Sequence, residues 1–377
     1  MIPQCMNIPF ILEKIIYVRM SSGSKVSVDE GVDPEGSSSS LTSVKVHRLK
    51  GIKDGQYSNP VFKKLSVING EINRMPREEL ISKLGELKLD SRGVTDVLKK
   101  RLKTYYREKK LTKAHVPTPK KSLPEFLMVI DFEATCEENN DNYDHEIIEF
   151  PVILVCVESK QVVDEFHSYC KPRINPQLSE FCVQLTGITQ DKVDSAEEFP
   201  KVLRRMEDWM KSHELGAKNK FAVLTDGPWD MSRFMYHQCR QNKITYPRWG
   251  GKWINLRKAY SNFYQCRRTK LNDMLENLGM TFEGHLHSGL DDSRNIARIA
   301  IRLAEDGCEL KVNEYLHYDR NENAFKSKHI TPDSPKGSTS EEELNQSMDG
   351  LHLTNDGAAN ETEEVDDLLE YYRIQRS

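Results

Sequence analysis

The chain has 377 residues, more than one average domain, so a core of middling size with further modules or tails is expected. Lys and Arg number 54 against 58 Asp and Glu, and this net charge of -4 averages segments of opposite sign, so it neither points to nucleic acid nor excludes it. Eight cysteines stand singly with no Cys-x-x-Cys pair, which favours reduced thiols over a disulfide framework or a zinc site.

The chain opens on a short apolar run, Ile8, Pro9, Phe10, Ile11 and Leu12, followed at once by Glu13, Lys14 and Arg19. It is too short and too charged to span a bilayer, and it lacks a basic n-region and a small-residue cleavage site. Residues 21–70 are rich in Ser, Gly and charge without a sustained period, so 1–70 is expected to be a disordered N-terminal region.

Periodicity begins near residue 73. Pro76 suits a first helical turn, and Leu80, Ile81, Leu84 and Leu87 recur at helical spacing. A break at Asp90-Ser91-Arg92-Gly93 precedes a second helix with Val94, Val97, Leu98 and Leu102 on one face. The other face carries Lys99, Lys100, Arg101, Lys103, Arg107, Lys109 and Lys110 beside Tyr105 and Tyr106. Dense charge of one sign next to aromatics favours a phosphate-binding surface over a merely solvated face. Residues 73–111 resemble a SAP module, a helix–turn–helix unit that grips nucleic-acid backbones, in the Leu-rich first helix, Gly93-Val94 and the Leu98–Leu102 run. A Pro- and Lys-rich linker at 112–124 follows.

Residues 125–310 alternate strands and helices. The spacing predicts a central strand over 126–132, a meander over 147–157 and 162–169, a helix over 199–210, a strand over 221–225, and helices from 230, over 270–278 and over 291–304. That order gives an α/β fold: a mixed sheet flanked by helices, preceded by the small helical hairpin. From about 321 the chain turns Ser-, Asn- and acid-rich, and 321–377 is expected to be a mostly disordered tail.

Three short stretches carry the chemistry. In Asp131-Phe132-Glu133 the two acids are two residues apart on a strand, so they share a face and would repel unless a hard cation sits between them. Trp229-Asp230 follows a strand and opens a helix, and either Asp226 or Asp230 also reads as an ordinary N-cap. His287 stands just ahead of Asp291-Asp292 at the start of the last helix, where a neutral imidazole is suited to accept a proton. Each acid has a plain structural explanation; their order and contexts together do not.

Taken together the three stretches resemble the DEDDh 3′–5′ exonuclease superfamily. The wording of 131–136, Ile148-Glu149-Phe150-Pro151, Leu185-Thr186-Gly187-Ile188, 229–232 and 289–297 resembles the enhanced-RNAi type of 3′–5′ exoribonuclease, a histone mRNA 3′-end exonuclease-like enzyme with a SAP domain. The resemblance implies a ribonuclease-H-like fold. It also implies two Mg²⁺ ions, with Mn²⁺ as a substitute, on Asp131, Glu133, Asp230 and Asp292. Glu133 and His287 would be catalytic, and Glu133, Ala134, Trp229 and His287 would meet the terminal nucleotide. Lys99, Lys100, Arg101, Lys103 and Arg107 would hold nucleic acid.

The implied substrate is RNA, a stem-loop or duplex with a short 3′ overhang, as in histone mRNA, ribosomal RNA or small interfering RNA. Protein partners in RNA-silencing or ribosome-associated complexes, no membrane contact, and a cytoplasmic, nuclear or nucleolar location go with it. Two other readings stay open at this point: a 3′–5′ DNA exonuclease of the same chemistry, and a non-catalytic RNA-binding partner protein.

Overall fold

A computed structural model describes residues 59–116, 123–138, 140, 143–319 and 324–330. The apolar N-terminal run, the serine-rich segment and the acidic tail beyond 330 lie outside the described residues.

Three helices come first: α1 (Pro60–Arg74), α2 (Arg77–Glu86) and α3 (Thr95–Lys113). The Asn59 side chain accepts the Val61 N–H at 3.0 Å, and Pro60 occupies the first helical position. Val61, Leu65 and Ile72 then face inward. This helix corrects the expected disorder over 60–70, which is helical. The hairpin of α2 and α3 is thus a three-helix bundle closed around Ile72, Leu80, Leu84, Leu98 and Leu102.

The remaining elements are β1 (Phe126–Ile130), β2 (Glu133–Ala134), β3 (Ile147–Cys156), β4 (Gln161–Lys171), α4 (Glu180–Thr186), α5 (Gln190–Asp194), β5 (Glu197–Glu198), α6 (Phe199–Ser212), β6 (Phe221–Thr225), α7 (Met235–Gln241), β7 (Lys252–Asn255), α8 (Leu256–Tyr264), α9 (Leu271–Asn277), α10 (Gly289–Glu305), β8 (Glu314–Asp319) and β9 (Ala324–His329). Among the described residues the strands form one sheet in the order β5-β4-β3-β1-β6-β7-β8-β9, with β2 added to β3.

β1 lies at the centre, antiparallel to β3 and parallel to β6. Both of its faces are buried, which is why its sequence is a continuous apolar run. Met128 and Ile130 pack toward α6 and α7, while Leu127 and Val129 pack toward α8, α9 and α10. Asp131 and Glu133 continue the Leu127–Val129 side by strand alternation, so they emerge on the face that α10 covers.

β8 and β9 form an antiparallel hairpin on the edge of β7, with Leu316 buried and its N–H donated to the Gly251 carbonyl at 2.9 Å. Within the stretch expected to be tail, 324–329 is therefore strand. Its alternating polar sequence hides the pairing, because backbone hydrogen bonds rather than an apolar face define it.

The bundle is docked on the helical layer that covers one face of the sheet. Val97 of α3 joins the apolar cluster of α8, α9 and α10. Gly93 and Gly279 touch so closely that a Cβ on Gly279 would lie 2.6 Å from the Gly93 nitrogen, and both take positive φ. Arg101, expected to face nucleic acid, instead points into this junction. Its Nε reaches Asp306 Oδ1 at 2.6 Å and its second terminal nitrogen reaches Oδ2 at 2.9 Å, with both side chains buried. The Tyr264 hydroxyl donates to the same carboxylate at 2.7 Å. A buried carboxylate demands such a partner, and Arg101 supplies it. Lys100 is half-buried with its ammonium 4.4 Å from the Phe263 ring centroid. Lys99 and Lys103, half-buried, and Arg107, exposed, remain on the outer face of α3.

Candidate active site

β1 ends at Ile130, and the chain runs through Asp131 and Phe132 into β2. β2 pairs with β3, Glu133 opposite Glu149 and Ala134 opposite Ile147. This pairing holds the segment carrying both acids against the first turn of α10, and Asp292 projects from that turn. Among the described residues, one carboxylate oxygen from each of Asp131, Glu133 and Asp292 lies within 4.8 Å of the others.

Asp230 stands beside this group rather than within it. Its Oδ1 accepts the Phe132 N–H at 2.9 Å, which ties it to the strand between Asp131 and Glu133. Residues Asp230–Phe234 form a π-turn before α7, with the Met235 N–H donated to the Asp230 carbonyl. The wider turn sets Asp230 inward, where it is 3% exposed and its charge acts on Asp131. Asp226, the other acid in this stretch, is ion-paired with Arg257, whose Nε lies 2.9 Å from its Oδ2.

The approach to α10 is shaped by its loop. Asp291 accepts the His285 N–H at 3.0 Å, and Gly284 at φ +98° leaves room for that carboxylate, since a Cβ there would lie 2.3 Å from Asp291 Oδ2. Asp291 thus serves the loop and Asp292 the acid cluster. His287 takes φ +62°, a conformation uncommon for a residue other than glycine, and its N–H is donated to the Asp292 carboxylate. The half-buried His287 ring and the buried Asp292 carboxylate are held at one end of the same helix.

Burial and mutual repulsion govern the charges here. Burial raises the Asp131 carboxyl well above the usual range, and the charges of Asp230, Asp292 and Glu133 push it further. Glu133 rises for the same reasons, burial first and then Asp292 and Glu149. Burial also drives Asp292 well up and takes Asp230 to about 7, each partly offset by the backbone N–H it accepts. Four acids that burden one another, with oxygen as the only donor atom, fit a hard divalent cation and fit no soft metal. Ala134 is buried in β2. Trp229 is half-buried, with the Arg233 guanidinium 4.0 Å from its ring centroid.

Two acids to which the motifs assign no role also belong to this region. Glu149 and Asp226 are buried at 2% and 4% exposure, and both add to the negative charge felt by the cluster. The sequence does hold a signal for Glu149: one acid inside the otherwise apolar Ile147–Cys156 strand.

A mixed sheet with helices on both faces and a buried acid cluster at the end of its central strand defines the exonuclease class. Residues 128–300 match the exonuclease family model described as RNase_T. The chain is 55% identical over 266 residues to 3'-5' exoribonuclease 1 of Rattus norvegicus, covering 70% of this chain and 77% of the rat protein. A solved structure described as "3'-end specific recognition of histone mRNA stem-loop by 3'-exonuclease" superposes with a TM-score of 0.54 at 50% identity, over 74% of this chain and 95% of that one. A nuclease-domain structure described as a DEDDh family member bound to rAMP gives a TM-score of 0.51 at 55% identity, over 52% of this chain and 99% of that one. The chain belongs to the 3′–5′ exoribonuclease 1 family and is a 3′–5′ exoribonuclease that uses divalent metal ions.

Proposed function

We propose that this chain trims the 3′ ends of structured RNA, stem-loops or duplexes with short overhangs, and that its metal is magnesium, two ions held by Asp131, Glu133, Asp230 and Asp292. The observation that carries this reading is the convergence of Asp131, Glu133 and Asp292, with Asp230 braced beside them on the Phe132 N–H. When bound, the ions supply an acidified attacking water and a counter-charge for the departing 3′-oxygen.

The chain's own residues do the rest. His287, the one histidine of the motif, takes the proton of the attacking water, and its backbone N–H, donated to Asp292, ties it to that acid. Glu133 serves both as ligand and, with the Ala134 backbone, as the seat of the terminal nucleotide. Trp229 offers a ring for the terminal base while Arg233 covers it. The products are nucleoside 5′-monophosphates. The outer face of α3, with Lys99, Lys103 and Arg107, holds the duplex by its phosphates.

The test is a 3′-labelled series of RNA and DNA, single-stranded and hairpin, with Mg²⁺ and with chelator. Hairpin RNA with an overhang should shorten most efficiently in Mg²⁺ and not at all in chelator. Shortening that persists in chelator overturns the metal assignment. Equal rates on DNA overturn the substrate assignment in favour of a DNA exonuclease.

A further inference from the structure

The geometry points to Glu149 as a positioning residue that holds the catalytic end of α10, an inference that rests on the exoribonuclease reading of that site. Glu149 lies in the middle of an apolar strand and is 2% exposed, so its carboxylate must be satisfied by protein groups. Both oxygens are. Oε2 accepts the Gly289 N–H at 2.9 Å, and Oε1 meets His167 Nε2 at 2.7 Å.

Gly289 is the first residue of α10, two residues after His287 and three before Asp292. The first N–H groups of a helix have no partner within the helix and usually take one from an N-cap side chain. Ser288 occupies that cap position, but its side chain makes no capping hydrogen bond. Glu149 performs the task from the neighbouring strand, with an anion placed at the positive end of the helix dipole. The approach is close: a Cβ on Gly289 would lie 2.7 Å from the Asp131 carbonyl oxygen and 3.1 Å from Glu149 Oε2.

Glu149 also faces Glu133 directly across the β2–β3 pairing. One side chain therefore braces the start of α10, which carries Asp292 and directly follows His287, against the segment that carries Asp131 and Glu133. With Oε1 and Oε2 both occupied, it acts through these neighbours rather than as a further ligand. His167, on β4 and half-buried, holds the carboxylate from its other side. Reach matters more than charge in this arrangement, because the acceptor must extend from β3 to the Gly289 N–H.

Two conservative variants separate reach from charge. Glu149→Asp keeps the charge and shortens the side chain by one carbon. Glu149→Gln keeps the reach, since its amide oxygen still accepts from Gly289 while its amide nitrogen stays within hydrogen-bond reach of the His167 ring. The full-length chain is used, with thermal melting to establish folding, calorimetric Mn²⁺ binding in the absence of RNA, and kcat and KM on a hairpin RNA in Mg²⁺. Glu149→Asp should lower kcat and Mn²⁺ affinity by about 10–100-fold, the range for groups that orient metal ligands, with KM unchanged. Glu149→Gln should stay within about threefold of the parent in both, because its hydrogen bond to α10 survives. A Glu149→Asp protein with parental kcat and Mn²⁺ affinity overturns the inference, and so does a Glu149→Gln protein impaired as deeply as Glu149→Asp. A parent chain that leaves RNA intact sinks the exoribonuclease reading alone, since the Mn²⁺ isotherms of the two variants still decide on Glu149.

Discussion

Asp131, proposed above as a metal ligand, illustrates how a buried acid works against the fold that carries it. Its carboxyl is buried and lies within the fields of Asp230, Asp292 and Glu133, so its ionised form is disfavoured when no cation is present. An unfolded chain releases such protons near pH 4, whereas the native site holds them well above that, to about 7 for Asp230. Between those values the native state binds more protons than the unfolded state, so stability must fall as pH rises. Burial keeps His145 and His237 below their usual range, so both are already neutral above pH 7 and do not mask the trend. Melting of chelated protein between pH 7 and 8, across the upper part of the Asp230 titration and below the range of an unfolded thiol, should show a falling midpoint, and added Mn²⁺ should restore most at the alkaline end. Asp131→Asn should abolish cleavage yet raise the chelated midpoint at alkaline pH by about 2–4 °C for each kcal/mol of repulsion relieved. A chelated Asn variant no more stable than the parent would show that the acids do not strain the fold.

The elements differ in how plainly the sequence announces them, and the difference is physical. β1, β3 and β6 are apolar runs because both sheet faces are covered, and α6 and α10 each carry one long apolar stripe; all five are legible from spacing. α1 does carry such a stripe, Val61, Leu65, Ile68 and Ile72 at helical spacing, but it adjoins the Ser-, Gly- and charge-rich stretch before it and so reads as part of that stretch. β9 escapes a reading from spacing because backbone groups make its pairing. The π-turn at Asp230 depends on the bond from Phe132, ninety-eight positions away, which no local pattern contains. The same limit applies to α3. Its basic run reads as one surface, yet Arg101 is claimed by Asp306, which is 205 positions distant. Arg101→Ala should therefore destabilise the chain by about 3–5 kcal/mol, as expected when one member of a buried ion pair is removed. Lys99→Ala, on the outer face, should cost about 0.5 kcal/mol or less. Denaturant unfolding separates the two. Replacing Lys99, Lys103 and Arg107 together should leave stability nearly unchanged. It should also reduce the salt slope of hairpin binding by about 0.7–0.9 for each phosphate that is no longer neutralised. An unchanged slope would mean that this face is solvated surface only.

At the scale of the whole molecule, the junction between the bundle and the nuclease layer would, on the proposed function, set the relation between holding RNA and cutting it. The contact is specific: Gly93 against Gly279, the Val94 N–H donated to the Asn277 carbonyl at 2.8 Å, Arg101 on Asp306, and Arg302 on Asp90 at 2.9 Å. These close backbone approaches and buried ion pairs leave little freedom for sliding, because packed interfaces are bistable rather than continuously deformable. On the proposed reading, a duplex gripped by the outer face of α3 is presented at a fixed distance from Asp131, Glu133 and Asp292. Trimming should then stop when the 3′ overhang no longer spans that distance, which gives products of narrow length distribution. Loosening the junction without touching either surface tests the coupling. Asp306→Asn retains the shape of the partner but loses its charge, so it weakens the hold on Arg101 while leaving the acid cluster and the outer lysines in place. Its rate on a short single-stranded RNA should match the parent, since that substrate needs only the cluster. On an overhang-bearing hairpin its products, resolved to single nucleotides, should spread over a broader range of lengths. A variant that keeps the narrow distribution would place the stopping point in the nuclease layer alone and free the bundle of any measuring role.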